Sequence, residues 1–132
     1  MVAQTQARMT DERSGDARSL PVKAGVTIYQ GSMVAILAGV AVAAIESAAI
    51  YCAGRAEETV TGGAADGDVR INVKSGVFRY ANDATDMITA ADIGSSCYAA
   101  DDQTVSKTDN VGTRSVAGTI FDVDAMGVWV RF

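Results

Sequence analysis

The sequence contains no histidine, only two cysteines and few aromatic residues: one tryptophan, four tyrosines and three phenylalanines. Without histidine, a Ser-His-Asp or Cys-His catalytic site is excluded, because both use an imidazole as general base. A metal site is also difficult to build from two thiols and no imidazole. We therefore expect no catalytic residue, no metal ligand and no cofactor-binding residue, and we predict that the protein is not an enzyme.

Positive charge is also scarce, since 11 Lys and Arg against 16 Asp and Glu give a net charge of -5. Such a protein gains nothing from counterion release on nucleic acid and is not attracted to an anionic membrane. The apolar stretch from Met33 to Ile45 is shorter than the roughly 20 residues that cross a bilayer. The polar N-terminal segment lacks the apolar core of a signal peptide. We expect a soluble protein made in the cytoplasm, with no nucleic-acid or membrane partner.

Cys52 and Cys97 form no CxxC pair and lie far apart in the sequence. Spacing alone leaves open whether the two thiols are joined. Free cysteine is among the most frequently buried residue types, so two buried thiols are favoured over a disulfide.

Small apolar side chains are abundant: the hydrophobic fraction is 48%, although aromatic residues make up only 6%. The chain divides into a polar segment without periodicity, residues 1–19, and an apolar, glycine-punctuated remainder, residues 20–132. A segment so poor in apolar residues cannot offset the entropy of ordering. We predict a flexible N-terminal arm over residues 1–19 and one β-rich domain over residues 20–132.

Strand patterns fill this domain. Val69, Ile71 and Val73 alternate with polar residues, which is the period of a half-buried strand. Near the C-terminus, the segment Asp124–Gly127 predicts a hairpin turn with Gly127 at a positive φ. The pattern places Val128, Val130 and Phe132 on one face of the last strand, opposite Trp129 and Arg131.

Helix signals are few. A short helix is predicted between Asp86 and Gly94, with these residues as its caps. The stretch Ala38–Ala49 favours strand or loop, because its valines and Gly39 oppose the helix preference of its alanines. Many short strands separated by turns indicate an all-β protein, a small single-domain β-barrel or sandwich with at most one short helix.

Acidic residues occur in close pairs, and calcium sites are built from such oxygens. None of the pairs has the spacing of an EF-hand loop, and solvated turn aspartates explain them better. A carboxylate pair that cleaves sugars is not supported either, because few aromatic residues are available to line a sugar groove. The pairs are Asp66 and Asp68, Asp101 and Asp102, and Asp122 and Asp124.

The order of four segments resembles that of the capsid decoration, or cement, proteins of tailed phages. The segments are "VKAGVTIYQGSMVAI", "AAIYCAGRAEETVTGGAADGDVRINVKSGVFRYAN", "ADIGSSCYAADDQTVSKT" and "VAGTIFDVDAMGVWVRF". The resemblance covers about residues 20–132 and rests on glycines, turn aspartates and their spacing. It implies a β-clip-like domain on the outer surface of the virion that stabilises the shell, often as a homotrimer that binds the major capsid protein.

Two surfaces are then expected. The apolar run after Met33 is too continuous for a strand with one wet face, so either both of its faces are buried inside the domain or one faces another subunit. We favour the second reading, and we take Trp129, which could also be a core residue, as a further interface anchor. The expected interface residues are Val34, Ile36, Val40, Val42 and Trp129. The arm is expected to bind the capsid through Arg8, Arg13, Arg18 and Leu20. A low-copy head-completion or tail adaptor and a carbohydrate-binding surface module remain as alternatives.

Overall fold

Nearly all regular structure in the computed structural model, which describes residues 2–132, is β: strands make up 44% of the chain. The helical content is a single 3₁₀ turn, Ala90–Asp92. The predicted all-β class, with at most one short helix, is confirmed. The strands are β1 (Ala17–Pro21), β2 (Thr27–Ile28), β3 (Met33–Leu37), β4 (Val40–Ala43), β5 (Ile50–Ala56), β6 (Val60–Thr61), β7 (Arg70–Lys74), β8 (Val77–Asn82), β9 (Ser96–Ala99), β10 (Thr104–Ser106), β11 (Val116–Asp124) and β12 (Gly127–Arg131).

Five strands close into a small barrel in the order β10-β8-β12-β11-β9. The pairs are antiparallel except β10 with β8, which is parallel. Closure leaves none of these strands at an edge, so the barrel has no row of unpaired backbone groups along its side. The predicted β-barrel is therefore present in the C-terminal half of the chain.

A second sheet has the order β1-β7-β5-β3-β4, and a small ribbon pairs β2 with β6. The sheet curls so that its two ends approach each other. Val22 and Ala41 form an isolated parallel bridge, and the Lys23 N–H donates to the Ala41 carbonyl at 3.1 Å. The edge strand β4 is thus partly covered by the chain that leaves β1.

Around β3 both faces of this sheet are buried, because that strand lies between two apolar cores. Met33 and Ala35 point into the first core, which also fills the barrel with residues such as Ile120 and Val130. Val34 points into the second core. Successive side chains of a strand point to opposite faces, so a strand that is buried on both sides must be apolar at every position. This explains the continuous run of small apolar residues after Met33.

The stretch Ala38–Ala49 begins with a tight hairpin and not with a continuous strand. Leu37 pairs with Val40, and the two residues between them have positive φ, 50° at Ala38 and 88° at Gly39. Positive φ at both central residues is the geometry of a type I′ turn, which matches the twist of paired strands. Strand β4 follows, and a loop leads to β5.

The N-terminal boundary differs from the predicted one by a few residues. Strand β1 begins at Ala17, inside the segment assigned to the arm, and the Ser75 N–H donates to the Asp16 carbonyl at 2.8 Å. Residues 2–16 contain no strand and are exposed throughout. Leu20, assigned to the arm, packs against the second core. The arm therefore ends at about Asp16, because pairing with β7 orders the chain from there on.

The C-terminal hairpin has the geometry that the sequence predicted. Gly127 has a φ of 149°, while Val128 and Val130 are buried on the inner face. The predicted helix between Asp86 and Gly94 is reduced to the 3₁₀ turn. Asp92 lies within that turn and accepts a hydrogen bond from the Thr89 N–H. Within residues 2–132, no helix has the length and apolar character needed to cross a membrane.

Candidate functional site

The residues predicted to form one face of an oligomer interface do not share a face. Ala35 pairs with Val42 across the hairpin, so Val42 points into the first core while Val34 points into the second. Val34 is 0% exposed and Val42 only 7% exposed. These two residues cannot contact another subunit, because the chain's own cores already surround them. Ile36 packs at the border of the second core, and Val40 is half-buried beside the turn.

Trp129 lies on the outer face of the barrel, where it is half-buried. Its indole N–H donates to the Asp124 carboxylate at 2.8 Å, and the Arg79 guanidinium lies 5.5 Å from the ring centre. The hydrogen bond from Trp129 holds the pKa of Asp124 below its usual value. Two residues after Trp129 on β12, the Arg131 guanidinium lies 4.7 Å from the ring centre of Phe121 on β11. The outer barrel face therefore carries stacked arginine and aromatic side chains.

The four residues predicted to bind the capsid are divided between arm and domain. Arg8 and Arg13 lie in the exposed arm. Arg18 lies on β1, where its guanidinium is 5.9 Å from the ring centre of Tyr51 and reaches the Ala53 carbonyl at 3.5 Å. Leu20 belongs to the second core. Only the first two arginines are thus free to reach far from the domain.

A cleft of about 590 Å³ lies between β5 and the end of the barrel formed by β11 and β12. Two of its apolar side chains face solvent: Tyr51 is 63% exposed and Val116 is 48% exposed. Arg131 and Asp109 contribute charge to its lining. Sequence reasoning did not anticipate this cleft, since its lining comes from distant parts of the chain.

The loop between β10 and β11 forms one wall of this cleft. Its residues Asn110, Val111 and Gly112 have φ values of 50°, 58° and 81°, so three successive residues are left-handed. The Asp109 carbonyl accepts hydrogen bonds from the N–H groups of Thr113 and Arg114, both at 2.9 Å. The segment "DNVG" carried the signal for such a turn, because Asn and Gly tolerate positive φ.

Arg114 fixes this loop to the rest of the molecule. Its Nε donates to Glu46 Oε2 at 2.6 Å, and its Nη1 donates to Asp83 Oδ2 at 3.2 Å. The hydrogen bond to Glu46 raises the pKa of Arg114. The pKa of Asp83 is lowered, first by hydrogen bonds from Thr85 and further by the charge of Arg114. The loop that leads to β5, the end of β8 and the β10–β11 loop are thereby held together.

The two thiols are buried and not joined. Burial raises the pKa of Cys52 to about 12 and that of Cys97 to about 11. The thiolate is the nucleophilic form, so neither residue is poised for chemistry at neutral pH. The question that the sequence left open is thus answered in favour of two buried free cysteines.

Within residues 2–132, no group of three or more His, Cys, Asp or Glu side chains converges as a metal site would require.

Burial raises the pKa of Tyr80, whose hydroxyl donates to the Gly31 carbonyl at 3.1 Å. That hydrogen bond joins the barrel to the turn before β3.

Comparisons of this sequence and structure with protein-family models, curated proteins and solved structures found no match.

Proposed function

We propose that this protein is a structural component of a tailed-phage virion that binds the outer capsid surface and stabilises the shell. Its partners are the major capsid protein and other copies of itself, in a homotrimer that bridges neighbouring capsomers. Support comes from the four segments quoted above, which fall on strands and turns of the two sheets, so the resemblance follows structural elements along residues 22–132.

The arm is the observation that carries the proposal. Residues 2–16 are exposed and without strand structure, and they lead directly into the edge strand β1. Extended segments of this kind bind by adding a strand to the sheet of another protein. Ordering them costs about 1–2 kcal/mol per residue in backbone entropy, which an interface has to supply.

The domain itself presents few unpaired backbone N–H and C=O groups to which another strand could be added. The barrel is closed, Pro21 of β1 has no N–H, and the Ser19 carbonyl accepts a hydrogen bond from Arg70 Nη2 at 2.8 Å. Natural sheets protect their edges in this way against uncontrolled strand addition. Strand addition by the arm to a capsid protein is therefore favoured over pairing between domains.

Shell stabilisation then needs no catalytic group. Each copy requires only a modest interface, on the order of 800 Å² per partner. Attachment through several linked contacts multiplies the effective affinity, because each contact after the first is intramolecular. A trimer across a capsomer boundary would oppose separation of the capsomers that it contacts.

The decisive experiment mixes the purified protein with phage heads that lack decoration and measures binding by co-sedimentation and image reconstruction. We expect many copies per head, and we expect deletion of residues 2–13 or the double substitution Arg8→Ala, Arg13→Ala to weaken binding. Substitution of Ala3 and Thr5 by Ser is the matched arm control. Few copies at one vertex would favour a head-completion or tail adaptor. Binding to a glycan array without binding to heads would favour a carbohydrate module.

A further inference from the structure

Val111 occupies a backbone conformation that its side chain disfavours. Its φ is 58°, between two residues that are also left-handed. Positive φ is a genuine outlier for a β-branched residue, because its Cβ crowds the following carbonyl. The side chain is 98% exposed, so no packing within the chain compensates this strain.

Hydrogen bonds within the surrounding loop hold Val111 in this position. The Thr113 hydroxyl donates to the Asn110 carbonyl at 2.9 Å, in addition to the two bonds that the Asp109 carbonyl accepts. Arg114 anchors the end of the loop through its two carboxylate partners. These bonds thus keep an apolar side chain exposed to water on a backbone of unfavourable φ. Strain that the surrounding structure maintains is concentrated at functional positions.

The cleft beside this loop offers a matching surface. Asp109 and Gly112 form part of its wall, and exposed Tyr51 and Val116 form its apolar lining. A projecting apolar side chain and an apolar cleft therefore lie side by side on one face of the molecule. Because the side chain and the cleft are separate patches, the loop of one copy can reach the cleft of another.

The charges on this face are complementary as well. Asp109 and Arg131 both line the cleft, and neither takes part in an ion pair among residues 2–132. Between two copies, the carboxylate beside Val111 on one copy has an opposite, unpaired charge available on the other. This complementarity favours a second copy of this chain as the occupant of the cleft.

We propose that the loop of one copy inserts Val111 into the cleft of a second copy, where Asp109 of the inserted loop pairs with Arg131 of the receiving copy. The inference rests on the self-association that is part of the proposed function, and it names the contact. Such a contact joins two different surface patches, the loop of one copy and the cleft of the next. When it is repeated, it closes into a ring if the rotation from one copy to the next is a whole fraction of a full turn. A ring of three copies would bury all three loops.

The first test substitutes Val111 in the full-length protein and measures self-association by analytical ultracentrifugation. We expect Val111→Asp and Val111→Gly each to weaken association by about tenfold or more, as for a central contact residue. Val111→Gly should at the same time raise the melting temperature, because glycine removes the strain. A purely structural role would not combine higher stability with weaker association. Met126→Asp, an exposed position at the opposite end of β12, is the control and should associate like the wild type.

The second test exchanges the two charges. Asp109→Arg and Arg131→Asp should each weaken association, and the double variant should recover it, because the pair is restored with opposite polarity. Recovery in the double variant also shows that the single variants failed for a reason other than misfolding. Unchanged association in all these variants, or a wild type that stays monomeric at high concentration, would overturn the inference.

Binding to phage heads is measured on the same variants, so that the two proposals are judged separately. A wild type that associates through Val111 but does not bind heads supports the inference and contradicts the virion role. A wild type that decorates heads while Val111 variants still associate normally contradicts the inference and leaves the virion role intact.

Discussion

Gly127 at the start of β12 packs directly against the backbone carbonyl of Tyr80 on β8, with no space for a side chain between them. Its φ of 149° also lies in the region that favours glycine. We expect Gly127→Val to destabilise the protein by about 1–3 kcal/mol from backbone strain, with the steric clash in addition. Chemical denaturation measures the change in the free energy of unfolding.

Gly39 provides the matched control for this prediction. It also has a positive φ, 88°, but a Cβ placed there meets open space. Gly39→Val should therefore cost only the strain of the turn, about 1–3 kcal/mol. Equal losses at both positions would show that the contact with Tyr80 contributes nothing.

The hydrogen bond between Trp129 and Asp124 predicts an acid transition at the C-terminal hairpin. The folded pKa of Asp124 is lowered, so the stabilisation is present above the unfolded pKa and is lost as pH falls through the folded value. Since Trp129 is the single tryptophan, its fluorescence should change below about pH 4, the usual range of an aspartate. Asp124→Ala should abolish this transition, and a transition that persists would locate its cause elsewhere.

Because Val34 is buried inside the chain, we expect its substitution to lower the free energy of unfolding without weakening self-association. Val34→Ala removes two methyl groups from a fully buried site and should cost about 2 kcal/mol. Self-association should be unchanged, because Val34 does not reach the surface. Val40→Ala, at a half-buried position beside the turn, should cost less. Dissociation of Val34→Ala at a temperature where its monomer is folded would contradict this assignment.

The buried thiols should be protected in the folded protein. With pKa values of about 12 and about 11, Cys52 and Cys97 should react with Ellman's reagent at pH 8 only after unfolding by denaturant. Because these folded pKa values are raised, the two groups lower stability as pH rises above about 9, where the unfolded thiols ionise. The double substitution Cys52→Ala, Cys97→Ala should reduce that alkaline loss. Rapid labelling of the native protein would show that the core opens readily.

Truncation should locate the boundary between arm and domain. Deletion of residues 2–13 removes only exposed residues and should leave the melting temperature unchanged. Deletion of residues 2–19 removes most of β1 and uncovers β7, and it should cost more than about 2 kcal/mol. Equal stability of the two truncations would place the boundary at residue 20, as the sequence suggested.

The local features of this fold could be predicted from the sequence because they depend on neighbouring residues. The alternation at Ile71 and Val73 predicts a strand with one buried face, and β7 has that burial pattern. The glycine at position 127 predicts the hairpin between β11 and β12. The low apolar content of the first residues predicts a segment outside the domain, since it offers nothing to bury. Strand periodicity, turn chemistry and composition are all local properties.

The roles of residues 33–50 were decided by the tertiary structure alone. A run that is apolar at every position shows that both faces of a strand are covered, but it does not show whether the same chain or another subunit covers them. Here both faces of strand β3 are buried by the same chain, one against the core that fills the barrel and the other against the core around Val34. Val34 and Val42 are therefore core residues, and their prediction as oligomer-interface residues was wrong.

The candidate contact at Val111 depended on the tertiary structure for the same reason. The sequence shows a turn-forming segment there, but the cleft beside it joins residues from β5, the β10–β11 loop and the end of β12. Such a surface exists only after strand pairing has brought these segments together. The sequence by itself determined the secondary structure class, the C-terminal hairpin and the exposed arm. Long-range strand pairing decided which apolar residues are buried in the core and which stay exposed on the surface.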